Sequence, residues 1–335
     1  MQKFALHIGA HKTGSTALQA ALTNAAQTLR AYRVAAMPRA EIARLFINEK
    51  LPEARDVIKG INPGTLILSH EVLLGWPFGP VGGLTPTYSE LYPETERRLD
   101  FLSDIFAGLD TEVIYYIRDQ DTFLESFYIQ SVQMGATIPF DAWISEIDME
   151  RLSWAPIIAQ IRERFPVRVK RYETEFARPQ SEAFTRFLTM IVPSVSRQIL
   201  SQVAFDQPRN RSLNATGLAL MTEINEIGLN PKHRTALRLL LQKHLSNTSG
   251  DRPTLLSAEQ KAVLAGYRAE NEFLADSGGV PTLHAAWAAS KPYHRVPAQP
   301  DRARQTFSVL PTLPRRPARV SLAPRHAQSA QRADS

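Results

Sequence analysis

Four short apolar runs rich in β-forming residues punctuate the first 173 residues of the chain: "KFALHIG" (3–9), "TLILSH" (65–70), "TEVIYYIR" (111–118) and the weaker "VRVKRYE" (167–173). Runs of this kind read as strands buried on both faces of a parallel sheet. Between them the apolar spacing turns helical: "STALQAALTNAAQTLRAY" follows the first run, "YSELYPETERRLDFLSDIFAGL" precedes the third and "QDTFLESFYIQSVQMG" follows it. This alternation predicts an α/β fold, a parallel sheet flanked by helices with right-handed crossovers. From about residue 139 the pattern is mostly helical, and no Pro/Gly-rich linker sets that half apart. Residues 1–290 are therefore expected to form one α/β domain with a mostly helical C-terminal half.

The last 45 residues, 291–335, break the pattern. They hold seven prolines, Lys291 and eight arginines against Asp301 and Asp334, a net charge of +7 where the whole chain carries +6. Residues 1–290 are thus close to neutral, at −1. A Pro/Arg-rich segment without periodicity buries too little apolar surface to offset its ordering entropy, so a disordered basic tail is expected. Such a tail is either a solvated extension or a contact for an anionic surface or polymer. The chain has no cysteine, which excludes a disulfide framework, a thiolate metal site and a cysteine nucleophile. "MQKFALHIG" lacks the plan of a signal peptide, and no stretch approaches the roughly 20 apolar residues of a membrane span. The expected location is cytoplasmic, with the tail able to reach the inner membrane surface.

The candidate chemistry gathers at the carboxyl ends of the predicted strands, where open α/β sheets bind ligands. After the first run, "HIGAHKTGST" keeps the glycine spacing of a nucleotide loop at Gly9 and Gly14, yet Ser15 stands where the lysine belongs and the lysine is upstream, at Lys12. Glycines, Thr13, Ser15, Thr16 and a helix start make a phosphate seat of P-loop type. After the second run come Ser69, His70 and Glu71; after the third come Arg118 and, eight residues on, Ser126. Arg118 offers a fixed fork of donors to a dianionic phosphate, and Ser126 adds a hydroxyl. If the extended backbone runs on through His70 and Glu71, their side chains point to opposite sides and only one faces the ligand. The loop "GWPFGPVGGLTPTYSELYP" (75–93) is read as a binding loop, a lid or a plain surface excursion. Trp76, Phe78, Tyr88, Trp143 and Trp154 are candidates for a sugar-stacking surface or for core and lid packing.

"HIGAHKTGSTALQAAL" resembles the 5′-phosphosulfate loop of sulfotransferases, and "VIYYIRDQDTFLESFYIQSV" is similar to their 3′-phosphate motif. The likeness is to the bacterial sulfotransferase-like branch, where "LSHEVLLG", "RYETEFARP" and "RNRSLNATGLALMTEIN" also have counterparts, and it covers residues 3 to about 230. It implies a metal-free enzyme that moves the sulfuryl group of 3′-phosphoadenosine 5′-phosphosulfate (PAPS) to an acceptor hydroxyl, here on a carbohydrate or glycolipid. It further implies that Lys12 contacts the phosphosulfate, that the loop amides with Thr13, Gly14, Ser15 and Thr16 seat the 5′-phosphate, and that Arg118 and Ser126 hold the 3′-phosphate. Relatives use either a glutamate or a histidine as base; the S-x-E spacing favours Glu71 over His70. The C-terminal G-x-x-G-x-x-K segment of the cytosolic branch has no counterpart, which leaves Arg209 and Arg211 as substitutes or as a solvated basic turn. Gln120 stands where many relatives have proline. The alternatives are a P-loop kinase using ATP and magnesium, with Glu71 or Asp119 on the metal, and a non-catalytic nucleotide-binding module.

Overall fold

Alternation along the strands decides the architecture. In the computed structural model, β1 (Lys3–His7), β2 (Val34–Ala36), β3 (Thr65–Ser69), β4 (Asp110–Ile117) and β5 (Val167–Arg171) form one all-parallel sheet in the order β2-β3-β1-β4-β5. Phe4, Leu6, Leu66, Leu68, Val113, Tyr115 and Ile117 face one apolar layer, while Ala5, Ile67, Ile114 and Tyr116 face the other. The period of two sends successive residues of each strand into opposite layers, and helices cover both, so the strands read as continuous apolar runs. Phe123, Phe127, Trp143 and Trp154 pack in the first layer; Leu18, Leu22, Phe184 and Phe187 pack in the second. The structure describes residues 2–61, 64–78, 91–177, 179–195, 212–247 and 252–276, all within one compact unit, Met1–Pro281. The basic tail, Arg209, Arg211, Tyr88 and residues 79–90 of the glycine-rich loop lie outside the described residues.

Three expectations are corrected. β1 stops at His7 rather than Gly9, because the last bond to the β3 side is from His70 N–H to His7 C=O; Ile8 and Ala10 donate only to β4. β2 was not expected: three residues are too few to show a period, and "VAA" is poor in β-formers apart from Val34, which is buried and paired in parallel with Thr65. Phe78, Trp143 and Trp154 are core residues at 1% exposure or less, so they offer no sugar-stacking surface; Trp76 packs on His11, ring centres 4.9 Å apart.

The strand order positions the site. The chain leaves β1 toward β2 on one side and leaves β4 toward β5 on the other, so the connections diverge between the carboxyl ends of β1 and β4. A crevice opens at such a switch point. The loop after β1 and Arg118 after β4 are its two lips.

Candidate functional site

The loop from Ile8 to Gly14 is held in place by its own backbone. Ile8 and Ala10 N–H donate to Ile114 and Tyr116 C=O at 3.2 and 2.9 Å, and His11 N–H donates to the Tyr92 hydroxyl at 2.8 Å. Gly9 is required by close approach: a Cβ there would lie 2.9 Å from the Cβ and backbone N of Tyr116. The chain then turns sharply, with Lys12 at φ 66° and Gly14 at φ 80°, both left-handed. For lysine this is a strained conformation, kept only where the surroundings over-determine it. At Gly14 a side chain would also collide with the Phe176 ring. Gly14→Ala is therefore expected to cost about 1–3 kcal/mol of stability, and Gly14→Ala/Phe176→Ala to recover only the part owed to the collision, measured by urea unfolding.

The turn leaves donors without acceptors. The helix Ser15–Asn24 starts at Gly14 with no side-chain cap and no acidic residue in its first turn. The first bonds into the helix come from Ala17 and Leu18 N–H to Gly14 C=O. The N–H groups of Lys12, Gly14, Ser15 and Thr16 find no acceptor among the described residues. A cluster of free amides at a helix start is a seat for an anion. Thr13 closes the turn on itself, its hydroxyl turned inward onto Ala10 C=O at 2.5 Å, and does not line the cavity; the Ser15 and Thr16 side chains stand on the cavity wall.

The Lys12 ammonium makes no hydrogen bond or ion pair among the described residues, while burial and the Arg118 guanidinium lower it to about 8 against the opposing pull of Glu71. Arg118 is buried and firmly set. Its Nη1 donates to Lys12 C=O at 2.6 Å, its Nε to Thr122 Oγ1 at 3.0 Å, and its guanidinium lies 4.5 Å above the Tyr172 ring centre. Trp154 Nε1–H donates to Arg118 C=O at 2.8 Å, and Glu173 Oε1 accepts from Asp119 N–H at 3.1 Å. Nη2 is left for a ligand. Ser126, on the helix Gln120–Met134, turns toward the same space.

At the end of β3 the expected alternation does not continue. The strand stops at Ser69, and Glu71 opens a single 3₁₀ turn, Glu71–Leu74, capped by His70 Nδ1, which accepts from Val72 N–H at 3.2 Å. Both side chains meet one guanidinium. Arg39 Nη2 lies 2.6 Å from Glu71 Oε1, and Arg39 Nε lies 3.3 Å from His70 Nε2. Gln19 Nε2 donates to Glu71 Oε2 at 3.1 Å. Burial is the largest influence on the Glu71 carboxyl and would raise it, but Arg39 together with His70, a backbone hydrogen bond and His11 outweighs it and holds the group at about 2. Burial lowers His70 to about 4.

Lys12, Ser15, Thr16, Glu71, Arg118 and Ser126 line one cavity of about 660 Å³, and His70 does not. That volume lies within the usual range for small-molecule sites. Pattern reading missed Tyr172, Arg238, Gln242 and Arg252 on the same wall. Tyr172 sits at the carboxyl end of β5, so the strand-end rule applied once more would have found it. Arg39, Arg238 and Arg252 belong to no recognisable spacing. Among the described residues, no three His, Asp or Glu side chains gather as a metal site, and no helix is long and apolar enough to cross a membrane. No protein-family model matches the chain, and no curated protein matches it.

Proposed function

We propose that this chain is a sulfotransferase of P-loop type that moves the sulfuryl group of PAPS to a hydroxyl on a carbohydrate or glycolipid. One observation carries the reading: free loop amides, an unpaired Lys12 and a half-engaged Arg118 with Ser126 surround one cavity, so two anion seats stand side by side at the switch point. ATP has no 3′-phosphate for the second seat, whereas PAPS does. The loop amides, Ser15 and Thr16 hold the 5′-phosphate, and the Arg118 fork with Ser126 holds the 3′-phosphate. Lys12 meets the charge that grows on the bridging oxygen as the sulfur–oxygen bond to the 5′-phosphate breaks. The new bond forms from the acceptor oxygen to sulfur, the acceptor's proton passes to Glu71, and 3′,5′-ADP leaves with the bond's electron pair.

Thermal unfolding tests the reading. Ligand at about 100 times its dissociation constant adds about 2.7 kcal/mol of stability. 3′,5′-ADP is expected to raise the melting temperature and ATP with magnesium to leave it unchanged; the reverse would favour a kinase, and no shift with either a non-catalytic role. Arg118→Ala is expected to weaken 3′,5′-ADP about 10- to 100-fold, the worth of a hydrogen bond to a charged group. Adenosine 5′-phosphosulfate, which lacks the 3′-phosphate, should lose little. Equal losses for both ligands, measured by calorimetry, would mean that Arg118 serves only to hold the Lys12 carbonyl.

A further inference from the structure

The helix Pro231–His244, "PKHRTALRLLLQKH", is two-faced in an unusual way. Its inner side meets the helix Ala215–Glu226 and contributes Arg238 and Gln242 to the cavity wall. At 100° per residue, Lys232, Ala236, Leu239, Leu240 and Lys243 fall on the opposite side, with His233 and His244 at its edge. All seven are exposed, Leu239 and Leu240 at 52% and 54%. No acidic residue occurs from Ile227 to Gly250, and neither Lys232 nor Lys243 has an ion-pair partner among the described residues. Ile227, in the turn that leads into the helix, is 72% exposed. The nearest acids along the chain are Glu226, in the other helix of the hairpin, and Asp251, seven residues past His244.

We infer that this face docks on a membrane surface rich in anionic lipid headgroups. Two adjacent exposed leucines rimmed by lysines, with no acid among them, match a helix that lies in the headgroup layer. The lysines meet the negative surface potential and the leucines enter the acyl boundary. A nucleic acid or acidic polysaccharide would use the lysines but give the leucines no apolar partner. A second copy of the chain would set like charge against like charge. Because the inner face of the same helix lines the cavity, docking sets that wall against the lipid surface. The inference stands apart from the sulfotransferase reading, since it needs neither nucleotide nor turnover.

The test is flotation of the full chain with vesicles of phosphatidylcholine, with and without phosphatidylglycerol. The unaltered chain is expected to float only with phosphatidylglycerol. Leu239→Ser/Leu240→Ser should reduce the bound fraction about tenfold. Lys232→Glu/Lys243→Glu should reduce it at least about 25-fold, since each basic residue at such a surface contributes about fivefold. All four positions face solvent, so melting temperatures should be unchanged, and the two variants check one another. Vesicle binding that neither variant alters would assign it to the basic tail and overturn the inference. So would absence of binding by the unaltered chain, or heparin binding without vesicle binding. A dimer in light scattering that the leucine variant dissolves would turn the face into a self-association surface instead.

Discussion

Replacing Lys12 by alanine is expected to slow sulfuryl transfer about 10²- to 10³-fold, the cost of removing one preorganised donor from the place where charge develops. The melting temperature should not fall, because Lys12 Nζ makes no hydrogen bond or ion pair among the described residues and its buried charge costs stability below about pH 8. Its acidity gives the test a second readout. Burial and Arg118 bring the ammonium from 10.5 down to about 8. The cation that meets the anion is present below that pH and is lost as pH rises through it, so 3′,5′-ADP affinity should be flat to about pH 8 and then fall by up to tenfold per unit. Stability of the ligand-free protein should move the other way. The unfolded chain keeps the proton that the folded chain sheds between 8 and 10.5, so the fold gains stability as pH rises through that interval. Lys12→Met should flatten both profiles. Near-normal turnover in Lys12→Ala would remove the sulfotransferase reading.

The parallel sheet was legible because each of its inner strands is buried on both faces and leaves an unbroken apolar run in the sequence. β2 was not, because a three-residue edge strand depends on its partner β3 rather than on its own residues. The loop was legible from Gly9 and Gly14, since backbone approach to Tyr116 and a left-handed turn tolerate little else. That Lys12 shares the left-handed turn was hidden, because lysine does not advertise such a conformation. The partners of Arg118 were hidden for a different reason. Thr122, Tyr172 and Trp154 come from three separate segments, and only the sheet brings them to one guanidinium. The same holds at β3, where local spacing offered His70 and Glu71 as rivals while Arg39, from a segment with no motif, binds both.

That guanidinium bears on the choice of base. His70 has no spare basic nitrogen: Nδ1 caps the 3₁₀ turn and Nε2 faces Arg39. Asparagine is itself a strong capping residue, so His70→Asn should keep the turn and most of the rate. Glu71 is on the cavity wall and ionised throughout the working range, with its carboxyl at about 2. A positioned base typically contributes about 10²- to 10⁴-fold, so Glu71→Gln should lower kcat by that order while 3′,5′-ADP affinity is preserved. The pair with Arg39 makes Glu71 a weaker base than an isolated buried carboxylate, and removing it should expose that. In Arg39→Met the largest pull opposing burial is gone, so the Glu71 carboxyl rises from about 2. The active, ionised form is then lost as pH falls through the raised value, so an acid limb absent from the parent should enter the kcat profile. A crippled His70→Asn beside an active Glu71→Gln would transfer the proton to the histidine. A profile unmoved in Arg39→Met would show that Glu71 ionisation does not govern the rate.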